Sequence, residues 1–361
     1  MTGVAALLVA VIAAPSASGA AASQTWPPFV LVAGLLTLGV IAHRDGLFDA
    51  LGGAIGRLPA PPWLLLVLLL LVVAAVTAVL NLDTSVAFLT PVLILAARRR
   101  GLDEEAFLYG ALLMSNAASL LLPGSNLTNL LVLAGEHVSG AVFAARMLPA
   151  WSAAVAITVG FVLVVHRRRL GVAPEGTAGP RVAVSSMGSI FAVVLAAALV
   201  LADASPALPV LALGVVVAAV AIGRRRIVAA TVWRGVDPFS LAGVYGVAVA
   251  LGTLARTWSA PGHLMASAGR IETAAVGAAA AVAVNNLPAA VLLASRHPAH
   301  PRALLLGLDL GPNLAVTGSL SALIWYRAAT TVSARPSVRR VSELGVVLVP
   351  LSIAVTLLLT S

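Results

Sequence analysis

The chain has 361 residues, of which 60% are hydrophobic and only 10% are charged. Soluble globular proteins carry about 25% charged residues, so this composition excludes a large water-soluble core. The net charge is +9, but every basic residue is an arginine, and most lie at the ends of apolar runs. This placement indicates orientation in a membrane rather than binding to nucleic acid. The chain has no Cys, which excludes disulfides, thiolate metal sites and a thiol nucleophile.

Apolar runs recur along the whole chain, each close to the length that crosses a bilayer. The first run lacks a basic start, so we expect a membrane span there rather than a cleaved signal. The sequence predicts an all-α polytopic membrane protein with about nine spans and two re-entrant hairpins, 62–98 and 262–296. The predicted spans are 4–22, 28–44, 105–138, 147–165, 184–202, 206–223, 238–256, 303–327 and 341–360, of which 105–138 and 303–327 are broken in the middle.

Polar residues interrupt the apolar pattern at both hairpin tips and in both broken spans. Each interruption combines amides, hydroxyls or carboxylates with helix-breaking Gly or Pro. In chain order, the candidate substrate-binding residues are Asn81, Thr84, Asn116, Ser119, Ser125, Asn126, Thr128, Asn285, Asn286, Asn313, Thr317 and Ser319. The candidate proton-coupling residues are Asp83 and Asp309.

The interruptions occur in the same order twice, which predicts two repeats, 1–166 and 184–361, joined by a cytoplasmic linker, 167–183. Asn81, for example, lies 204 residues before Asn285. With nine spans, 17 of the 22 arginines fall on the side of the N-terminus. The positive-inside rule then places the N-terminus in the cytoplasm and the C-terminus outside the inner membrane. The span count makes the repeats antiparallel, which is the plan of many secondary transporters.

Nonhelical backbone survives at membrane depth only where it is buried in protein or lines a wet cavity, so the interruptions indicate a solute site. Ionisable residues inside a membrane are functional candidates, and Asp83 and Asp309 are therefore predicted to carry a coupling proton. Two alternatives remain: the polar residues only bind helices to one another, or the carboxylates only cap half-helices. His297 and His300 lie in a Pro-containing loop without a metal-site spacing. The sequence predicts no metal, cofactor or enzymatic activity.

Two groups of segments carry a resemblance to bacterial arsenite permeases of the ion transporter superfamily. The first half has Asn81–Pro91 and Ser115–Asn129, and the second half has Asn285–Pro288 and Gly311–Ser319. The resemblance covers about residues 26 to 361. It implies an elevator-type carrier that exports arsenite or antimonite in exchange for protons, forms a homodimer, and works in some relatives with a separate ATPase subunit. The residues it implies around substrate are Asn81, Asp83, Ser125, Asn126, Asn286, Asn313 and Ser319.

The sequence leaves the transported solute open. Arsenite is mostly an uncharged trihydroxide near neutral pH and needs hydrogen-bond donors and acceptors, which the interruptions supply. The superfamily also contains sodium/proton antiporters and transporters of small anions, and carboxylates would suit sodium as well as protons. A membrane scaffold or receptor that transports nothing is the third alternative, and the repeated broken helices argue against it.

Overall fold

The computed structural model describes residues 2–134, 138–170, 184, 187–203 and 205–360. These residues form helices and connecting loops with no β-strand, which confirms the predicted all-α architecture. Most of the predicted linker, from residue 171 onward, lies outside the described residues. The helices of the first half are α1 Thr2–Ala13, α2 Pro15–Arg44, α3 Leu47–Gly56, α4 Pro62–Val79, α5 Leu82–Arg99, α6 Glu105–Ala118, α7 Leu127–Leu133 and α8 Gly140–His166.

The second half has the same alternation of long helices, paired helices and interrupted helices. Its helices are α9 Met187–Ala202, α10 Ala207–Gly223, α11 Ala229–Val236, α12 Pro238–Thr257, α13 Ala260–Ser267, α14 Arg270–Val284, α15 Asn286–Leu293, α16 Pro301–Leu310, α17 Leu320–Thr331 and α18 Val338–Leu358. By length and composition, five described helical stretches could each cross a membrane: α2, α4, α8, α11 together with α12, and α18. The protein is therefore a multi-pass membrane protein.

The first two predicted spans, 4–22 and 28–44, are wrong in their boundaries. Helix α1 ends at Ala13. The 30-residue helix α2 begins at Pro15, ends at Arg44 and contains Pro27 and Pro28. Proline at the first position of a helix starts it readily, whereas proline inside a helix usually breaks it. Here α2 packs along α10 and α12, and this packing holds the helix together across the two prolines. The 12-residue α1 is about 18 Å long, which is too short to cross a bilayer.

Two pairs of consecutive helices form the predicted hairpins. In the first, the Ser85 hydroxyl of α5 donates a hydrogen bond to the Val73 carbonyl of α4 at 3.3 Å. Residues 12 apart in sequence reach this distance only if the chain folds back. In the second, α14 and α15 pack against each other on either side of Asn285. The first arm of this hairpin starts at Arg270 and not at 262, because α13 is a separate helix and Ala268 is extended.

The two predicted broken spans are helices interrupted by short 3-10 turns. Pro123–Ser125 separates α6 from α7, and Gly311–Leu314 with Val316–Gly318 separates α16 from α17. Within the described residues, the two halves of each broken helix do not pack side by side, so these segments do not fold back as the hairpins do.

Packing between the two halves is reciprocal. The second arm of the first hairpin, α5, packs on α17, the second half of the later broken helix. The second arm of the second hairpin, α15, packs on α7, the second half of the earlier broken helix. This exchange of equivalent partners is what two structural repeats related by a two-fold axis would give. The direction of each repeat across the membrane stays a prediction.

Candidate functional site

The starts of α5, α7, α15 and α17 open on one cavity of about 720 Å³. The residues that line it at these helix starts are Leu82, Asp83, Asn126, Leu127, Asn285, Asn286, Leu287, Leu320 and Ser321. Helix N-termini present free backbone N–H groups and a partial positive charge. The hairpin tips and broken helices thus bring four such ends together, two from each half of the chain.

Asparagine side chains cap three of these four helices. The Asn81 side chain accepts a hydrogen bond from the Thr84 amide at 2.7 Å. Asn126 accepts from the Thr128 amide at 3.2 Å, and Asn285 accepts from the Leu287 amide at 3.3 Å. Asparagine is among the preferred N-cap residues because its oxygen replaces a missing helical acceptor. The fourth helix, α17, begins after Ser319, whose side chain makes no cap hydrogen bond.

Asp309 lies at the contact between the two broken helices, fully buried near the end of α16. Its Oδ1 accepts hydrogen bonds from Asn126 Nδ2 at 2.8 Å and from Thr128 Oγ1 at 3.1 Å. The second oxygen, Oδ2, is buried without a partner among the described residues. Two of the predicted binding residues of the first half, Asn126 and Thr128, therefore donate hydrogen bonds to the predicted proton-coupling residue of the second half.

Asp83 makes the reverse connection. This carboxylate, near the start of α5, accepts a hydrogen bond from the Ser321 hydroxyl near the start of α17 at 2.7 Å. Among the described residues, neither Asp83 nor Asp309 has an arginine partner. Ionised carboxylates are rarely buried without a cation, so the fully buried Asp309 is unusual for a residue that only stabilises the fold. Asp83 is half-buried and faces the cavity.

A pair of amides joins the midpoints of the two broken helices. Asn116 Nδ2 donates to Asn313 Oδ1 at 2.8 Å, and Asn313 Nδ2 donates to the Leu113 carbonyl at 3.2 Å. Asn129, which also follows the first break, donates to the Ser119 carbonyl at 2.7 Å and to the Leu122 carbonyl at 3.1 Å. Both carbonyls that Asn129 contacts lie after the end of α6, within the interruption of the broken helix.

Three further candidates, Ser119, Ser125 and Thr317, donate hydrogen bonds to backbone carbonyls. Ser119 donates to the Asn116 carbonyl at 2.8 Å, and Ser125 donates to Ala78, in the first hairpin, at 2.9 Å. Thr317 donates to Val282 at 3.2 Å and accepts from Asn285 at 3.3 Å. Of the 14 candidates, only four line the cavity directly: Asp83, Asn126, Asn285 and Asn286. Most of the others are buried beside it, and Thr317 is exposed.

Several buried polar atoms beside the cavity have no partner among the described residues. They include Asn81 Nδ2, Thr84 Oγ1 and Ser319 Oγ. A buried donor or acceptor without a partner costs about 1–3 kcal/mol, and such atoms collect where a ligand or water completes the hydrogen bonds. Their position around the hairpin tips agrees with a solute site there.

The sequence analysis missed four polar residues that line the cavity: Asp237, Ser240, Ser321 and Arg327. Ser321 could have been found from its position two residues after Ser319, at the start of a half-helix. Arg327 is exposed and looked like a span-end arginine. Among the described residues, no group of His, Cys, Asp or Glu could hold a metal ion.

Two comparisons with known proteins found similarity, one to a protein family and one to a solved structure. The model of a family described as "CitMHS: Citrate transporter" matches residues 1–357. The crystal structure of the YdaH transporter from Alcanivorax borkumensis, reported to have an unusual topology, superposes with a TM-score of 0.64. That similarity covers 95% of this chain and 87% of the other at 14% sequence identity, and it therefore concerns the fold. No curated protein matches the sequence.

Proposed function

The chain belongs to the CitMHS citrate transporter family, and from the chemistry of the cavity we propose that the solute it exports is arsenite or antimonite, in exchange for protons. Membership of this family makes it a secondary transporter rather than an enzyme. The choice of solute rests on the lining of the cavity where four helix starts meet. Its polar side chains are mostly amides, hydroxyls and carboxylates.

These groups suit an uncharged trihydroxide. Asn126, Asn285 and Asn286 offer both donors and acceptors, and Ser321 offers a hydroxyl. Arg327 is the only cation among the described residues that line the cavity. An ionised polycarboxylate would meet Asp83 with little compensating positive charge, whereas a neutral hydroxide would accept hydrogen bonds from the amides and donate them to the carboxylate.

Asp83 and Asp309 are the residues that we assign to proton exchange. Each accepts hydrogen bonds from the other half of the chain, so loss or gain of a proton changes a contact between the repeats. In the proposed cycle the carboxyls are ionised when solute is bound and protonated on the return step. The moving part would comprise the hairpins and broken helices, with α2, α10 and α12 in the fixed scaffold and a second copy of the chain as partner. A separate ATPase subunit is not needed for this cycle.

A citrate-like anion is the second candidate. Two observations favour it: the family is described by citrate transport, and the helix starts around the cavity carry partial positive charge that attracts anions. In this case Arg327, which lines the same cavity, would contact a carboxylate of the solute.

Everted membrane vesicles with an imposed pH gradient distinguish the two candidates. We expect arsenite accumulation driven by the gradient, reduced in both Asp83→Asn and Asp309→Asn at unchanged protein level. Asp49→Asn is the matched control, because Asp49 is exposed on α3 and does not line the cavity.

Citrate accumulation that Arg327→Gln abolishes, without arsenite transport, would replace the first candidate with the second. Sodium-dependent proton movement without transport of either solute would instead indicate a sodium/proton antiporter. If both aspartate variants transport arsenite normally at every pH, the assignment of proton exchange to these residues is wrong.

A further inference from the structure

A second cavity, of about 390 Å³, lies at one end of the bundle and is lined by three arginines and a histidine. It is formed where α7 and α18 end and where α14 and α16 begin, with α8 along its side. The basic residues are Arg146, Arg270, His300 and Arg302. None of the described lining residues is acidic.

At the opposite end of the bundle, arginines of neighbouring helices form ion pairs with acidic residues. There α6 begins after Asp103 and Glu104, and these acids and Glu105 form ion pairs with arginines of neighbouring helices. Arg169, after α8, pairs with Asp103 at 2.8 Å and also with Glu105. Arg340, in α18, pairs with Glu105 at 3.1 Å. Negative charge at the start of this half-helix therefore balances the arginines around it.

In the second half of the chain the equivalent helix start has the opposite charge. The broken helix α16 begins at Pro301 as α6 begins at Glu105, but it carries His300 and Arg302 in place of the acids. Arg302 faces the same cavity as Arg146 and Arg270, and none of the three forms an ion pair with a described residue. Three like charges around one cavity repel one another, and an anion in the cavity would remove that repulsion.

We propose that this second cavity is a binding site for a phosphate group, held by Arg146, Arg302 and Arg270. Guanidinium groups bind phosphate with two parallel hydrogen bonds, which makes arginine clusters typical phosphate sites. The rest of the lining includes Leu133, Val138 and Phe143, which suit the glycerol and upper acyl chain of an anionic phospholipid.

Arg270 has a second role that excludes it from the test. It donates hydrogen bonds to the Leu357 carbonyl at 2.6 Å and to Thr360, at the end of α18. Replacing it would disturb the helix end as well as the cavity. Arg146 is exposed and Arg302 half-buried, and neither makes a hydrogen bond to a described residue. A cation at the start of α16 also opposes the helix dipole, so Arg302→Gln should not weaken the helix.

The experiment uses the full chain, purified in a nonionic detergent and stripped of lipid. Native mass spectrometry counts the lipid that stays bound after titration with phosphatidylglycerol or with phosphatidylcholine. We expect selective retention of phosphatidylglycerol, with an affinity that falls about tenfold in both Arg146→Gln and Arg302→Gln. Arg302→Lys, which keeps the charge but loses the paired hydrogen bonds, should have an intermediate affinity. Arg335→Gln, in the exposed loop before α18 at the other end of the bundle, should bind as the unchanged protein does.

Competition with inorganic phosphate identifies the source of the phosphate group. If millimolar phosphate displaces the lipid, and the two glutamine variants lose that effect, the site takes a soluble phosphate as well. If phosphate has no effect, the site is specific for the lipid. Equal phosphatidylglycerol affinity in the unchanged protein and both glutamine variants, or an equal loss in Arg335→Gln, would overturn the proposal. Because lipid retention is measured without transport, this result does not depend on which solute the protein carries.

Discussion

Replacing Asn126 with alanine should destabilise the protein by about 3 kcal/mol, because one side chain makes two contacts. Its amide donates to the Asp309 carboxylate at 2.8 Å, and a hydrogen bond to a charged group contributes about 1.5–3 kcal/mol. Its oxygen caps α7 through the Thr128 amide, and loss of a cap costs about 1 kcal/mol. Asp309→Asn should cost less, since the amide oxygen can still accept from Asn126 and Thr128.

The free energy of unfolding is measured by reversible unfolding in mixed micelles, in which the fraction of a denaturing detergent is increased stepwise. The fluorescence of the six tryptophans reports the fraction of unfolded protein. Asn286→Ala is the matched control, because Asn286 also lies at the start of a half-helix and lines the cavity but makes no hydrogen bond to a described residue. Its free energy of unfolding should change by less than about 0.5 kcal/mol.

A double-mutant cycle tests whether the two halves are joined through this contact. In the Asp309→Asn background, the cost of Asn126→Ala should shrink by about 1 kcal/mol, because the lost hydrogen bond is then between neutral groups. A cost that is the same in both backgrounds would refute the argument, since it would mean that Asn126 stabilises the protein without Asp309.

Two further substitutions test the packing and the cavity. Gly307→Ala should lower the free energy of unfolding by about 1–3 kcal/mol or more, because the added carbon would lie 2.2 Å from the Ala274 carbonyl oxygen. Gly160→Ala, with no atom in the way, should leave it unchanged or raise it; equal effects would contradict the close packing of α14 and α16. Ser319→Ala should not destabilise the protein, because its buried hydroxyl has no partner. The same variant should weaken solute binding severalfold, and an unchanged affinity would remove Ser319 from the site.

The sequence predicts the interruptions well because their causes are local. Asn81 and Asn285 follow apolar runs directly and end the helices there, and both act as caps in the structure. In the second broken span Gly311 and Pro312 likewise follow the end of α16 directly, whereas α6 ends at Ala118, before Pro123 and Gly124. The prediction of a helix break before Pro28 was wrong, because α2 continues through Pro27 and Pro28 and packs against α10 and α12 there.

Contacts between the repeats could not be predicted from the sequence. Asn126 and Asp309 are separated by 183 residues, and Asp83 and Ser321 by 238. No local pattern specifies such pairs, because they depend on how the two halves pack. The sequence therefore identifies most polar residues near the cavity but does not distinguish those that line it from those that lie behind it.

The bond between Asn116 and Asn313 constrains how the protein can change shape. This hydrogen bond joins the two broken helices through side chains that are both buried. If it broke there, the two amides would lose a hydrogen bond in a surrounding of low polarity. Sliding of one broken helix past the other would break this bond. In the transport cycle proposed above, we therefore expect the two broken helices to move together, with access to either side of the membrane changing where they meet the surrounding helices.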